Sequence, residues 1–206
     1  MGWWSRHVFP RLCHLSMRGE KVFGPLRREA LADASGRVLE IGLGTGLNLP
    51  YYPPAVDSVD GVDPNPGMER IARRALGEAS FPVELHLAGA ERLPFADSSF
   101  DTAVSTWTLC SVADVPAALA EIARVLRPGG RFLFLEHGRS HEPRVARWQR
   151  RLTPIQRRVA DGCHLDRDFE RLVGESPLAV DRVDRFYAPD LPKLAGYLYR
   201  GMAVRG

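Results

Sequence analysis

Three glycines at alternate positions follow a short apolar run, and this turn limits what the chain can fold into. The segment 38–48 reads VLEIGLGTGLN and contains Gly42, Gly44 and Gly46. A dinucleotide-binding turn needs Gly-x-Gly-x-x-Gly, and neither register of this segment supplies the third glycine. The alternate spacing instead removes side chains from three neighbouring positions, so the backbone can approach a ligand other than a pyrophosphate.

Strand-like and helix-like patterns alternate along much of the chain. Apolar runs that predict strands fall at residues 37–41, 58–62, 83–87, 102–106, 131–135, 178–187 and 196–204. Periodic apolar positions that predict helices fall near residues 47–52, 67–76, 115–126 and 166–173. Because strands alternate with helices, the sequence predicts βαβ units and a mainly parallel sheet of the α/β class.

Two further helical stretches flank this alternating region. Residues 1–35 read as helical, with a break expected at Gly24-Pro25. Three apolar side chains fall near one face of this stretch: Trp4, Val8 and Leu12. A second, arginine-rich stretch follows the last central strand and runs to about residue 160. We expect both stretches to cover the ligand side of the sheet.

Composition excludes several classes of protein. The chain has 206 residues, enough for one domain with a sizeable core. No run approaches the roughly 18 apolar residues of a membrane-spanning helix. Three cysteines lie far apart in the sequence, so they predict reduced thiols and a cytoplasmic location, with no disulfide framework and no metal site. A net charge of +3 gives no reason to expect a nucleic-acid partner.

An acidic residue follows the second predicted strand. Asp63 comes directly after the apolar run 59–62. A carboxylate at the end of this strand can accept hydrogen bonds from both hydroxyls of a ribose, as in related nucleotide folds. The glycine turn and this acid together predict a nucleotide-like ligand. The alternative is a structural glycine turn that holds no ligand.

A longer series of motifs resembles a known family. The motifs occur in the order Glu40-x-Gly42-x-Gly44-x-Gly46, Asp63, Ala90-Glu91-x-Leu93-Pro94-Phe95, Ser99-Phe100-Asp101 and Leu126-Arg127-Pro128-Gly129-Gly130. Over about residues 37–136 this series resembles the class I S-adenosylmethionine-dependent methyltransferases. The resemblance implies a Rossmann-like, doubly wound, seven-stranded and mostly parallel sheet with helices on both faces. It also implies one domain over residues 1–206, in which 1–35 form a helical cap, 36–136 hold the cofactor and 137–206 supply acceptor-side helices and the terminal strands.

The resemblance assigns the cofactor, S-adenosylmethionine, to particular residues. It implies that the glycine turn meets the methionine part, that Asp63 holds the ribose, and that Ala90 and Glu91 lie by the adenine. The other cofactor-binding residues that it implies are Glu40, Pro64, Asn65 and Thr106. Many members carry an aspartate where this chain has Gly89. A backbone amide or Glu91 is therefore expected to contact the adenine amine instead.

A narrower resemblance concerns the acceptor. The segments that carry it are Tyr52-Pro53-Pro54, Asp63-Pro64-Asn65-Pro66, Thr108-Leu109-Cys110-Ser111-Val112, Phe134-Leu135-Glu136-His137 and Asp161-Gly162-Cys163. They are similar to segments of the mammalian methyltransferase-like proteins that methylate alkyl thiols, over most of residues 38–165. This resemblance implies a small-molecule acceptor. Those proteins are anchored in membranes by an apolar N-terminal segment, and we expect no such anchor here.

The ends of the fourth and fifth predicted strands supply the candidate catalytic residues, because ligands of such sheets lie beyond the carboxyl ends of the strands. His137 is the candidate base, since the unperturbed pKa of histidine lies near neutral pH. Its alternative role is to brace the end of the strand. Cys110 faces the acceptor in one interpretation and is a small buried apolar residue in the other. A thiol acceptor with a pKa near 8.5 needs only modest help to ionise.

The arginine-rich stretch leaves two interpretations open. Its basic residues are Arg139, Arg144, Arg147, Arg150, Arg151, Arg157 and Arg158, and Val145, Trp148 and Leu152 form an apolar face. The stretch is either a helix packed on the sheet or a surface for peripheral membrane contact. Three functions therefore remain: a methyltransferase of small molecules such as thiols, a methyltransferase of lipid head groups or lipid-soluble quinones, and a cofactor-binding regulator without turnover.

Overall fold

The computed structural model describes residues 2–206, so Met1, the first residue of the expected helical cap, lies outside the described residues. Its strands are β1 Gly36–Ile41, β2 Val56–Val62, β3 Val83–His86, β4 Phe100–Thr106, β5 Leu126–His137, β6 Leu178–Tyr187 and β7 Tyr197–Arg205. They form one sheet in the order β3-β2-β1-β4-β5-β7-β6. Strands β1 to β5 are parallel, and β7 runs antiparallel to both β5 and β6. The predicted seven-stranded, mostly parallel sheet is confirmed.

Helices precede the sheet and cover both of its faces. They are α1 Trp3–His7, α2 Phe9–Met17, α3 Glu20–Leu31, α4 Pro66–Glu78, α5 Val115–Val125, α6 Pro143–Val159 and α7 Phe169–Gly174. Asn65 and Asp114 cap α4 and α5, each accepting a hydrogen bond from a backbone N–H of the first turn. A proline follows each cap residue within the first turn, where its missing N–H costs nothing.

Apolar clusters cover both faces of the sheet. On one face Phe132 and Phe134 of β5 belong to a cluster with Leu119 and Ile122 of α5. A second cluster lies on the other face. It includes Val38 of β1, Val59 of β2, Leu31 of α3 and Ala72 of α4. Apolar side chains on both faces of the central strands explain why these strands read as nearly continuous apolar runs. The doubly wound arrangement is therefore confirmed.

The break expected at Gly24-Pro25 is wrong. Helix α3 runs unbroken from Glu20 to Leu31, although Pro25 within it lacks the N–H of a helical hydrogen bond. Phe23 and Leu26, which flank the Gly24-Pro25 pair, are buried. Burial of the apolar face offsets the roughly 3 kcal/mol that an internal proline costs. The chain breaks instead at Val8 and at Arg18, between the first three helices.

Two other helical expectations also need correction. Residues 47–52 form only a short 3-10 helix, Leu49–Tyr51, because Pro50 limits hydrogen bonding within it and Pro53 lies two residues beyond its end. On α6 the buried residues are the polar Gln149 and Thr153, whereas Trp148 is 54% exposed. Gln149 is buried because its amide hydrogen-bonds to the backbone at three places: Gly138 O, Leu194 O and Ser140 N. The predicted apolar face of this helix therefore does not form its contact with the sheet.

Candidate functional site

A cavity of about 320 Å³ lies at the carboxyl ends of the central strands. Nine of the ten residues expected to bind the cofactor line it: Glu40, Gly42, Gly44, Asp63, Pro64, Asn65, Ala90, Glu91 and Thr106. Gly46 is not among the lining residues. The N-terminal helices close the cavity with four further side chains: Phe9, Cys13, Met17 and Arg27. No residue of α6 lines the cavity, because this helix packs beside the end of β5. Asp161, two residues after the end of α6, does line it.

The three glycines of the turn have left-handed backbone angles, with φ of +71° at Gly42, +57° at Gly44 and +77° at Gly46. A Cβ on Gly42 would clash with the side chain of Thr108, and one on Gly46 would lie 2.9 Å from Ala75 Cβ. A Cβ on Gly44 would have only Gly42 O near it, at 3.7 Å. Gly44 therefore leaves space on the cavity side, whereas the other two glycines leave space for protein atoms.

Asp63 is held rigidly at the end of β2. Its carboxylate accepts hydrogen bonds from Gly44 N at 3.0 Å and from Asn65 N at 2.8 Å. Burial raises the pKa of this carboxyl to about 6, and the two backbone N–H groups act in the opposite direction. The carboxylate is thus fixed between the glycine turn and the start of α4, where hydroxyl groups of a ligand can reach it.

Glu40 is a second buried carboxyl group on the cavity wall. Asn48 Nδ2 donates to it at 2.8 Å and Tyr52 OH donates at 2.9 Å. Burial raises its pKa to about 7, against the effect of these hydrogen bonds and of the Arg27 charge. A cationic group of a ligand placed here would favour the ionised form of the carboxyl.

Sequence reasoning missed Arg27. This residue of α3 lines the cavity and is only 4% exposed, and its guanidinium donates to Asn48 Oδ1 at 3.2 Å and to Met17 O at 3.1 Å. A signal was present in the sequence, because Phe23, Arg27 and Leu31 follow one another at a spacing of four residues. An arginine between two buried apolar residues of one helical face points into the protein.

The far end of the cavity is formed by residues after β3. Ala90 is buried, and Glu91 Oε1 accepts hydrogen bonds from Ala113 N at 3.1 Å and Asp114 N at 3.4 Å. Glu91 thereby holds the turn that begins α5. A Cβ on Gly89 would lie 2.9 Å from the Glu91 carboxylate. The glycine at this position therefore makes room for the Glu91 side chain.

Glu136 organises the loop after β4. Its fully buried carboxylate accepts hydrogen bonds from Thr108 N and Leu109 N, both at 3.0 Å, and from Ser105 Oγ at 2.8 Å. Burial raises the pKa of this carboxyl. Glu136 therefore fixes the position of Trp107 and Thr108, both of which line the cavity, and does not itself reach it.

The two residues predicted to act in catalysis, Cys110 and His137, lie behind the cavity wall and do not line it. His137 Nε2 is 3.1 Å from the sulfur of Cys163, a residue to which the sequence assigns no role in the site. Hydrogen bonding to Cys110 and to His137 lowers the pKa of Cys163, and hydrogen bonding to Cys163 together with burial raises that of Cys110. Burial acts to lower the pKa of His137, but the neighbouring Cys163 and Glu136 raise it overall.

One polar cluster ties the N-terminal helices to the rest of the site. Ser5 Oγ donates to Asp161 Oδ2 at 2.9 Å, and Asn65 Nδ2 donates to Ser5 O at 2.8 Å. These contacts join α1, the loop after β2 and the loop after α6. They fix α1 across one side of the cavity.

Comparisons with known proteins agree with this geometry. A family model described as a methyltransferase domain matches residues 39–134. Over 186 residues the chain is 39% identical to the thiol S-methyltransferase TMT1B of Rattus norvegicus, covering 82% of this chain and 75% of that protein. It is 34% identical over 166 residues to the phosphatidylethanolamine N-methyltransferase of Cereibacter sphaeroides, covering 79% and 80%. The chain belongs to the S-adenosylmethionine-dependent methyltransferases.

The fold of this methyltransferase is also found in a solved structure. A methyltransferase structure from Thermotoga maritima aligns with a TM-score of 0.67 at 23% identity and covers 98% of this chain and 100% of its own. The cofactor is S-adenosylmethionine, and the cavity fits it. Gly44 leaves space beside the backbone, Asp63 presents a fixed carboxylate, and Glu40 adds a second acid to the wall. In the described part of the methyltransferase no helix is long and apolar enough to cross a membrane.

Proposed function

We propose that this methyltransferase transfers the methyl group to the thiol of a small, mainly apolar molecule. The cavity wall carries this proposal. Among the described residues no histidine lines the cavity, and each of the four acids that do already accepts a hydrogen bond from a protein group: Glu40, Asp63, Glu91 and Asp161. A site without a free base suits an acceptor that ionises readily, and a thiol does so near pH 8.5. The thiol S-methyltransferase relative of rat supports the same acceptor class.

The proposed mechanism relies on position and desolvation. When bound, S-adenosylmethionine supplies an electrophilic methyl group on a sulfonium. Gly44, Asp63 and Glu40 would hold the cofactor, and Phe9, Met17 and Trp107 exclude water from the cavity that they line. A thiolate that has lost its hydration shell and lies about 3–3.5 Å from the methyl carbon, in line with the sulfonium, needs no further chemical group.

The test is a panel of acceptors at fixed cofactor concentration. Small alkyl thiols should be methylated, with mass spectrometry of the product placing the methyl group on sulfur. Amines and phenols of the same size serve as controls. Turnover of an amine or phenol with none of any thiol would overturn the proposed acceptor and leave the family membership intact.

A second candidate acceptor is a lipid head group or a lipid-soluble quinone, reached by peripheral contact with a membrane. The observation in its favour is a set of exposed apolar side chains on the first and sixth helices: Trp3, Trp4, Trp148, Ile155 and Val159. Trp4 Nε1 donates to Val159 O at 3.2 Å, so these two helices meet. Exposed arginines of α6 surround them, which suits an anionic lipid surface. The phosphatidylethanolamine N-methyltransferase relative points the same way.

Vesicle sedimentation separates the two acceptor classes. Binding to phosphatidylglycerol vesicles, together with methylation of a phosphatidylethanolamine or a quinone and none of thiols, would favour the second candidate. The Trp148→Ser variant should then lose vesicle binding but keep product binding, whereas Leu87→Ser, on another exposed surface, serves as the control. We favour the thiol and a cytoplasmic location, which the three free cysteines support.

A further inference from the structure

The fold brings together three side chains that are far apart in the sequence. Cys110 lies in the loop after β4, His137 ends β5, and Cys163 follows α6. The two sulfur atoms and a ring nitrogen of His137 all lie within 4.8 Å of one another. All three residues are buried. The sequence predicts no metal site because the cysteines are widely spaced, and only the fold reveals this cluster.

The backbone holds each of the three residues in place. Cys110 O accepts a hydrogen bond from His164 N at 2.9 Å, and Cys163 N donates to Ala160 O at 3.0 Å. His137 pairs with β7 in the antiparallel half of the sheet. The three side chains therefore converge without requiring any movement of the elements that carry them, as a preformed binding site requires.

The spacing of the three atoms suits one central cation. Zinc bound by two sulfurs at about 2.3 Å and by one nitrogen at about 2.0 Å in a tetrahedron separates these ligand atoms by roughly 3.5–3.8 Å. The observed upper limit of 4.8 Å and the His137 Nε2 to Cys163 Sγ distance of 3.1 Å bracket that range. Small rotations of the three side chains would bring each of them to its ligand position.

Charge balance favours a divalent, thiophilic cation. Two thiolates and one neutral imidazole carry a total charge of −2, which a divalent cation cancels, so a buried and nearly neutral unit results. His137 Nδ1 is buried with no hydrogen-bond partner among residues 2–206. In a neutral ring bound to a cation the proton lies on Nδ1, so Nε2 is the nitrogen that faces the cation and Cys163 Sγ.

Polar groups around the cluster complete the environment that a metal site needs. Gln156 Nε2 lies 3.8 Å from Cys163 Sγ, and Ser111 Oγ lies 3.7 Å from Cys110 Sγ. Ser111 also lines the cofactor cavity, so a cation has a short path to the cluster from that side. Three protein ligands leave one tetrahedral position for water.

We propose that Cys110, His137 and Cys163 form a binding site for a divalent cation of the zinc class. The site joins the loop after β4, the end of β5 and the loop after α6 behind the cofactor cavity. It is independent of the acceptor, because the proposal concerns only these three side chains and the cation that they bind.

Titration of the reduced, metal-free protein with Co²⁺ tests the proposal directly. The expected result is one Co²⁺ per chain, with the visible bands of tetrahedral cobalt and a thiolate-to-cobalt charge-transfer band in the near ultraviolet. Added Zn²⁺ should remove both bands. Cys110→Ser and Cys163→Ser should each lose the charge-transfer intensity that their sulfur contributes and weaken cobalt binding by at least about tenfold. Binding of the demethylated cofactor shows that each variant is folded.

Cys13→Ser is the matched control, since Cys13 is the remaining cysteine and lies outside the cluster. This variant should bind cobalt as the unaltered protein does. The proposal is overturned if the reduced, unaltered protein shows no tetrahedral cobalt spectrum, a result that does not depend on the folding of any variant. It is equally overturned if Cys13→Ser loses the bands, or if the freshly purified protein carries a Cys110–Cys163 disulfide and its reduced form binds no cobalt.

Discussion

Gly44 gives the sharpest test of the cofactor site at the scale of one residue. Its Cβ position faces the cavity, and its φ of +57° is one that side chains rarely adopt. We expect Gly44→Val to weaken binding of S-adenosylhomocysteine by at least about 100-fold, or about 2.7 kcal/mol, because a branched side chain would occupy the cofactor's place. Isothermal titration calorimetry measures this loss.

Gly129→Val is the matched control for that experiment. Gly129 also has a positive φ, +77°, but a Cβ there meets no atom within 4 Å and the residue does not line the cavity. This variant carries the same kind of backbone strain without filling the site. Equal loss of affinity in the two variants would show that strain, rather than occupation of the cavity, explains the effect of Gly44→Val.

Asp63 makes the affinity for the cofactor depend on pH. We expect Asp63→Ala to weaken product binding by about 1.5–3 kcal/mol, the range for hydrogen bonds to a charged group. Since the pKa of this carboxyl in the empty protein is about 6, lowering the pH from 8 to 5 protonates it and should weaken binding. Calorimetry at the two pH values should show this decrease, and Asp63→Asn should show a smaller one. An unchanged pH dependence in Asp63→Asn would place the titrating group elsewhere.

Single residues differ in how far the sequence could predict them. Gly44 and Asp63 follow apolar strands directly, so their place at the carboxyl edge of the sheet was predictable. Arg27 lies on a helix and Cys163 in a loop, and their places at the cavity and behind it depend on tertiary packing. Local patterns do not encode such long-range contacts, and the cluster behind the cavity therefore appears only in the fold.

At the scale of elements, the N-terminal helices and α6 should respond differently to the cofactor. Side chains of α2 and α3 line the cavity and Ser5 fixes α1 beside it, whereas nothing in α6 reaches the wall. We expect hydrogen exchange of α1 to α3 to slow when S-adenosylhomocysteine binds, with little change in residues 143–159. Mass spectrometry of peptides from the two regions measures this. Equal slowing in α6 would mean that this helix closes over the site, as the sequence led us to expect.

The elements also show which local rules decided the structure. The alternation of strands and helices was predictable, because turn residues bound each apolar run and cap residues mark the starts of the helices that follow. The helix across Pro25 was not, because the cost of the proline is local whereas the burial of Phe23 and Leu26 depends on the sheet. The same reason explains α6, where the hydrogen bonds of Gln149 determine which side faces the protein.

At the scale of the whole molecule, the cofactor site and stability are linked through Glu40. This buried carboxyl has a pKa of about 7 in the folded protein, against an ordinary value of 4.5. A raised pKa in the folded state contributes stability that is fully present below about pH 4.5 and is lost as the pH rises through about 7. The shift corresponds to a loss of about 3 kcal/mol in the free energy of unfolding of the cofactor-free protein.

Glu40→Gln should remove this loss, because its amide oxygen can accept from Asn48 Nδ2, its NH2 group can donate to the hydroxyl oxygen of Tyr52, and it does not ionise. Urea unfolding between pH 5 and pH 8 should show the variant gaining on the unaltered protein by about 2.5 kcal/mol as the pH rises. Glu78→Gln, on the exposed end of α4, should show no such gain. The cofactor carries an ammonium and a sulfonium, so it should bind the ionised Glu40 best and offset the loss at high pH. If Glu40→Gln and the unaltered protein keep the same difference in stability at every pH, Glu40 ionises normally and does not couple the site to folding.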